Sequence, residues 1–451
     1  MSRRVVVIGG GLAGIVCALD CADAGADVTL VEVRPRLGGA AYSFERDDLS
    51  IDNGQHVFLR CCIAYRALLA RLGSVGSVRL QARLEIPVLS PGREPALLRR
   101  TSWPAPFHLA GSLLRYRRLT LRQRLRVARA TLALSRADPH ARALDEISFG
   151  EWLARHGQDR QTVAALWDLI ALPSLNLRAD QASAALCAFV FKTGLLERAD
   201  AGDIGFHEHP LSDTIDMPAR HALAAAGVDV RLGWRAEKIE RLGSQLRVRR
   251  DDATDELDAE AVIVAVPHAR AASLVEPLLP STAAALRRLA SSPIVNLHLV
   301  YDRPVSPWRF AAGAHTPVQY LFDRTAAAGL PSGCQYLAVS LSGAEREMRM
   351  SPDELRAVYV PALSQLLPRA RVAKLERFMV TREHAATFRG GPGTAGLRPG
   401  AVTDVPGLVL AGTWTDTGWP ATLEGAVLSG HAAARAALSG RVTPVGALVA
   451  R

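Results

Sequence analysis

Near the start of this 451-residue chain, Gly9, Gly11 and Gly14 stand in GxGxxG spacing, directly after a β-branched run at residues 4–8 and ahead of a helical stretch at 15–23. A second apolar run, residues 27–31, ends on Glu32, eighteen residues beyond the last glycine. Glycines so placed permit a tight turn, close backbone approach to a pyrophosphate, and packing of helix on strand. The first helical turn, from Leu12 and Ala13 onward, offers unpaired amides to phosphate oxygens, while the Glu32 carboxylate accepts hydrogen bonds from ribose hydroxyls. The competing reading is a glycine-rich turn in an ordinary α/β protein. It gives no reason for strand, helix, second strand and terminal acid to occur together.

Further clusters can complete a dinucleotide site. Arg34, Arg36, Gly38 and Gly39 make a basic turn just past Glu32, able to bring a guanidinium and backbone amides to a diphosphate. Asp52, Asn53, Gly54, Gln55 and His56 form a polar block. Toward the other end, residues 407–412 read as a buried strand closing on Gly412, and 418–426 as a turn opening a helix that runs through His431. Pro420 sits where a helix start tolerates proline. His56 and Asp416 are the candidates for a proton donor or for orienting one, since an imidazole titrates near neutrality without large perturbation. Against this, His56 also fits a structural hydrogen-bonding histidine, and Asp416 a turn carboxylate.

These residues need elements to hold them. Residues 228–232, 236–239, 246–250 and 261–266 read as further strands. Apolar residues make up 49% of the chain and charged ones 22%, the profile of an ordered protein long enough for more than one unit. The formal charge of +10 comes with no nucleic-acid-binding motif, so no nucleic-acid partner is expected. Six cysteines without a CxxC pair indicate neither a metal site nor a disulfide framework and fit a reducing cytoplasm. The N-terminal arginines and apolar run lead straight into glycines without a cleavage site, which reads as a first strand and not a secretory signal. Pro173 interrupts the best apolar stretch, 164–177, so no bilayer span is expected. Residues 113–135 interleave seven arginines with leucines, a pattern that admits peripheral contact with an anionic membrane at the inner face of the cell membrane. The leucines hold no clean 3.6 period, and a solvated outer face is the competing reading.

The N-terminal fingerprint with its RPRLGG turn resembles the flavin-binding amine oxidase and phytoene desaturase superfamily, although Ala40 and Thr413 stand where members often carry Arg and an acid. The blocks at 52–57 and 411–426 narrow the resemblance to the squalene-associated FAD-dependent desaturases, the hydroxysqualene dehydroxylase family. Trp167, Leu175-Asn176, Pro210-Leu211-Ser212 and Ala386-Thr387-Phe388 also fit, so the likeness runs over nearly the whole chain. It implies an α/β (α+β) fold. A discontinuous Rossmann-like FAD-binding domain would comprise 1–85, 205–285 and 395–440, a mixed sheet-and-helix substrate domain 86–204 and 286–394, and a tail 441–451.

The implied FAD contacts are Gly9, Gly11, Leu12, Ala13, Gly14, Glu32, Arg36, Gly38, Gly39, Asn53, Gly54, Gln55, Ala236, Gly412, Thr413, Trp419, Ala421, Thr422 and Leu423. Ala236 would touch adenine through its backbone, and the amides of Thr422 and Leu423 would stabilise negative charge on a reduced flavin. The implied reaction removes the allylic hydroxyl of hydroxysqualene, a hydrophobic C30 isoprenoid, to give squalene for hopanoid formation, with other squalene-forming enzymes as prospective partners. A carotenoid-type desaturase and a non-catalytic prenyl-lipid escort are the alternatives.

Overall fold

The computed structural model describes residues 2–439 apart from 253, 254 and 332, so the expected tail lies outside the described residues. The strand Arg4–Ile8 is buried on both faces from Val5 onward, and a run without a polar face is stable only with cover on each side. It is the centre of a five-stranded parallel sheet in the order Asp229–Leu232, Asp27–Glu32, Arg4–Ile8, Ala261–Val264, Leu408–Leu410. Val5 and Val7 pack against the helices Leu12–Asp23 and Leu423–Ser439. Val6 and Ile8 face the opposite way, toward the helices His268–Val275 and Pro280–Arg288. The expected strands around 236 and 246 form, but as Ala236–Leu242 and Gln245–Arg250 in a separate antiparallel meander with Glu256–Ala259.

A second, seven-stranded sheet runs Leu375–Phe388, Ser291–Tyr301, Gln335–Ser342, Tyr320–Asp323, Phe310–Gly313, Glu85–Ser90, Arg93–Arg99. Its strand Ser291–Tyr301 alternates in the manner of a half-exposed strand. Val295, Leu297 and Leu299 do pack on the helix Pro352–Leu366. The polar partners in the alternation, Ser292, Asn296 and His298, are nonetheless fully buried, because the opposite face of the strand is covered. Elsewhere the sheet carries a helical layer around Phe149, Trp152, Trp167 and Phe191.

Residues 113–135 fall in two helices: Ala110–Arg115 ends, and Leu121–Arg136 starts afresh from a capping box in which the side chains of Thr120 and Gln123 bond each other's backbone amides. One expectation is corrected here. Pro420 does not occupy a helix start, since the helix begins at Leu423 with the Thr422 hydroxyl accepting from the Gly425 amide at 3.1 Å. Among the described residues no helix is long and apolar enough to cross a membrane, and Pro173 lies inside the helix Asp168–Leu175.

The two chain ends meet where the C-terminal helix crosses the first one. A side-chain carbon on Gly430 would come within 2.5 Å of the Ala13 carbonyl oxygen and 2.9 Å of the Val16 side chain. Gly430→Ala is therefore expected to cost about 1–3 kcal/mol of stability through overpacking at this crossing. Chemical denaturation of the two proteins checks it.

Candidate functional site

The fingerprint glycines are fixed by backbone contacts. Gly9 has φ +112°, a region closed to side chains, and a carbon on Gly14 would fall 1.9 Å from the Gly9 carbonyl oxygen. The turn at 38–39 lies directly against this one: the Gly38 amide donates to the Gly10 carbonyl at 2.9 Å, and a carbon on Gly39 would sit 2.8 Å from the Gly11 α-carbon. In front of Gly11 itself the space is open: a side-chain carbon there would have only the Gly39 α-carbon within 4 Å, at 3.8 Å. Glu32 is buried, with its carboxylate accepting from the Gly10 amide at 2.6 Å and the Arg34 amide at 2.8 Å. Each oxygen keeps a second lone pair for a ribose hydroxyl.

Arg36 lies with its guanidinium carbon 3.4 Å from the Tyr42 ring centroid and donates to the Gly39 carbonyl at 3.1 Å. Burial lowers its pKa, and among the described residues no carboxylate forms an ion pair with it. Ala236 is hooked to the end of the Glu32 strand through its neighbour Trp234, whose amide donates to the Glu32 carbonyl at 2.9 Å. Open space before Gly11, an uncompensated cation beside it and spare acceptors on Glu32 suit the diphosphate and ribose of FAD.

The polar block occupies the junction of the two sheets. Asn53 donates from Nδ2 to the Ala40 carbonyl at 2.9 Å and to Glu383 at 3.0 Å, while its own carbonyl accepts from Asn296 Nδ2 at 3.0 Å. Gly54 lies between His56 and Asn296, both within 4 Å of the position a side-chain carbon would take. Gln55 Nε2 and Asn296 Oδ1 are buried with no hydrogen-bond partner in the protein, as expected of groups that meet a bound molecule.

His56 donates from Nδ1 to the Gly54 carbonyl at 3.0 Å, and since a carbonyl only accepts, the neutral ring leaves Nε2 as an acceptor. Burial lowers its pKa. This changes the expectation of an unperturbed imidazole: burial favours the neutral ring, whose Nε2 is then an acceptor. Asp416 stands exposed, its carboxylate accepting from the Gly418 amide at 3.2 Å, so the geometry fits the turn carboxylate.

At the C-terminal loop, Gly412 has φ +130° and donates its amide to Ser429 at 2.9 Å. Thr413, Thr415 and Trp419 direct their carbonyls at the buried Arg398, at 3.2, 2.6 and 2.7 Å. The Thr422 amide is engaged by the Pro420 carbonyl at 2.8 Å, which leaves the amides of Leu423, next after Ala421 and Thr422, and of Glu424 at the helix start without an intrahelical acceptor. Trp419 meets Phe189 edge to face at 5.1 Å. Arg398, Asn296, Glu383 and Phe189 carry no local motif; Asn296 is one of several polar positions in an alternating strand and is not singled out by it.

Behind the block lies a ribbon of neutral imidazoles. His207 donates to the His56 carbonyl at 2.9 Å and contacts the Tyr65 hydroxyl at 2.8 Å, while His298 bonds Tyr336 at 2.6 Å and Thr381 at 3.0 Å. Burial pushes both pKa values down to about 3.

The family described as flavin containing amine oxidoreductase matches residues 12–438. Similar proteins include a hydroxysqualene dehydroxylase of Rhodopseudomonas palustris, 28% identical over 96% of this chain and 98% of its own. A zeta-carotene desaturase of Synechocystis is 24% identical over 97% of each chain. Among solved structures, a cyclohexylamine oxidase from Brevibacterium oxydans superposes with a TM-score of 0.71 at 19% identity, covering 97% of this chain and 99% of that one.

Unfolded imidazoles protonate near pH 6.5, whereas folded His207 and His298 stay neutral down to about 3, so the unfolded state binds more protons between those values. Stability is thus expected to fall as pH drops below 6.5, by about 2–3 kcal/mol for the pair between pH 7 and 5.5. Thermal denaturation across that range measures it, and His298→Gln should flatten the slope. Arg36→Ala is expected to weaken FAD binding by about tenfold to a hundredfold, read by titrating apoprotein with FAD, for loss of a charge-assisted contact.

Proposed function

From the premise that this chain belongs to the flavin containing amine oxidoreductases and is an FAD-dependent oxidoreductase, we propose that it removes the allylic hydroxyl of hydroxysqualene to give squalene. The observation that supports this most is the full-length likeness to hydroxysqualene dehydroxylases, joined to a polar block whose only histidine is held neutral. Residues 1–85, 205–285 and 395–440 would hold the cofactor, and 86–204 with 286–394 would enclose the substrate. The oxidoreductase family removes the ground for a non-catalytic escort.

Reduced FAD, when bound, would supply one hydride and one proton, which turn C–OH into C–H and water. The protein's part is recognition and orientation. A C30 chain offers almost no hydrogen bonds, so its binding rests on apolar area, at about 25 cal/mol per Å² before ordering costs. Phe189 and Trp419 supply part of an apolar wall that excludes water. The one hydroxyl is the handle: His56 Nε2 accepts its hydrogen bond and Gln55 Nε2 donates to its oxygen, which orients the C–O bond, while the proton with which the oxygen leaves as water would come with the hydride from the reduced cofactor. We also propose that the enzyme meets its substrate at a membrane surface, peripherally, where such a chain dissolves.

A carotenoid-type desaturase is the second reading, favoured by the likeness to a zeta-carotene desaturase. Anaerobic incubation with reduced FAD and hydroxysqualene is expected to yield squalene; squalene absent there, with oxidised FAD desaturating a polyene precursor, establishes the second reading instead. His56→Ala should keep the flavin and lower kcat by about tenfold, the worth of one hydrogen bond. Because the neutral ring is the working form, activity should be lost as pH falls through a value below 6.5. Activity that climbs with acidity would show an imidazolium acid.

A further inference from the structure

Residues 93–136 differ in charge from everything else in the molecule. They hold eleven arginines and one acid, Glu94, so the whole formal charge of +10 resides there and the rest of the chain balances 43 basic against 43 acidic residues. The same stretch carries seven of the fifteen large apolar side chains exposed among the described residues, including the two aromatic ones, Trp103 and Phe107. Scattered exposed leucines are ordinary, but a cluster rimmed by unpaired cations is not.

The helix Leu121–Arg136 shows how this arises. Gln123, Val127, Ala130 and Leu134 are buried, whereas Leu121, Leu125 and Leu132 are 70, 66 and 47% exposed. Each exposed leucine precedes a buried residue by two positions, about 200° around the helix at 100° per residue. Two apolar stripes thus lie on opposite faces, which is why the sequence shows no single period. Leu114, also exposed, is tied to this helix because its carbonyl accepts from Arg124. Ion pairs in the stretch are those of Arg99 with Glu85 and Arg100 with Asp203; among the described residues Arg115, Arg117, Arg122 and Arg129 are exposed and have none.

We propose that this face docks on an anionic phospholipid bilayer, with the arginines at the headgroups and Trp103, Phe107 and the leucine stripe in the acyl boundary. Only a bilayer of that charge takes both chemistries at once. A second copy of the chain would set one cationic face against another, and a polyphosphate would leave the leucines in water. The buried stripe of the same helix packs on the helix Ala184–Phe191, whose Phe189 touches Trp419. Two layers of helix therefore separate the bilayer from the C-terminal loop of the site. The docking stands on these residues alone; its use as a route for a C30 substrate rests on the proposed function.

The test is co-sedimentation of the full-length flavoprotein with vesicles of phosphatidylcholine alone or mixed equally with phosphatidylglycerol. Binding is expected only to the mixed vesicles and should weaken with salt. Arg115→Gln, Arg122→Gln and Arg129→Gln combined should weaken it about a hundredfold, at about fivefold per arginine. Leu121→Gln, Leu125→Gln and Leu132→Gln combined should weaken it at least as much, and both variants should turn over substrate in detergent micelles like the parent. The proposal is overturned if the parent ignores mixed vesicles, if both variants bind as the parent does, if micellar turnover falls with vesicle binding, or if the leucine face instead forms a dimer that the leucine variant splits. Absence of dehydroxylation in micelles with vesicle binding intact would remove the proposed reaction and leave the docking face standing.

Discussion

The contact on which the rest depends is backbone against backbone: the turn at Gly38 and Gly39 pressed onto the turn at Gly10 and Gly11, joined by the Gly38 amide and the Gly10 carbonyl at 2.9 Å. No side chain fits between them. The Glu32 carboxylate clamps the same junction from behind through the Gly10 and Arg34 amides. A surface lined by main-chain groups is rigid and rich in donors, the quality an anion site needs. Arg36, laid over Tyr42 and bonded to the Gly39 carbonyl, adds a positive charge. The parallel sheet and the crossing of the two terminal helices at Gly430 are what keep these turns in register with the C-terminal loop.

Much of this was legible because it is local. Glycine spacing, a β-branched run and a terminal acid lie within 29 residues, Arg4 to Glu32, and each element dictates its neighbour. The strand and helix at 408–439 were readable for the same reason, except for Pro420, whose place three residues before the helix depends on how the loop folds back. What escaped the sequence is whatever arises from pairing distant strands. Asn296 reaches Asn53 across 243 positions, and Glu383 reaches it across 330. Arg398 gathers three carbonyls of the C-terminal loop, and nothing in its neighbours Leu397 and Pro399 announces that task.

The chemistry of the polar block turned on burial more than on residue type. An imidazole in water is a balanced acid and base, but His56, His207 and His298 are desolvated and stay uncharged. Their rings are also fixed in orientation by carbonyl and hydroxyl partners, so the imidazoles bring hydrogen-bonding groups to the junction between the sheets without bringing charge.

Placing the whole net charge in residues 93–136 makes the protein an electric dipole, with a body of balanced charge and a positive pole. Such an object feels a torque near a charged plane before it feels a contact, within roughly one screening length, ~8 Å in physiological salt. It would arrive already turned the right way round, and the short-range fit of leucine and tryptophan would then act on a molecule whose rotational search is largely over.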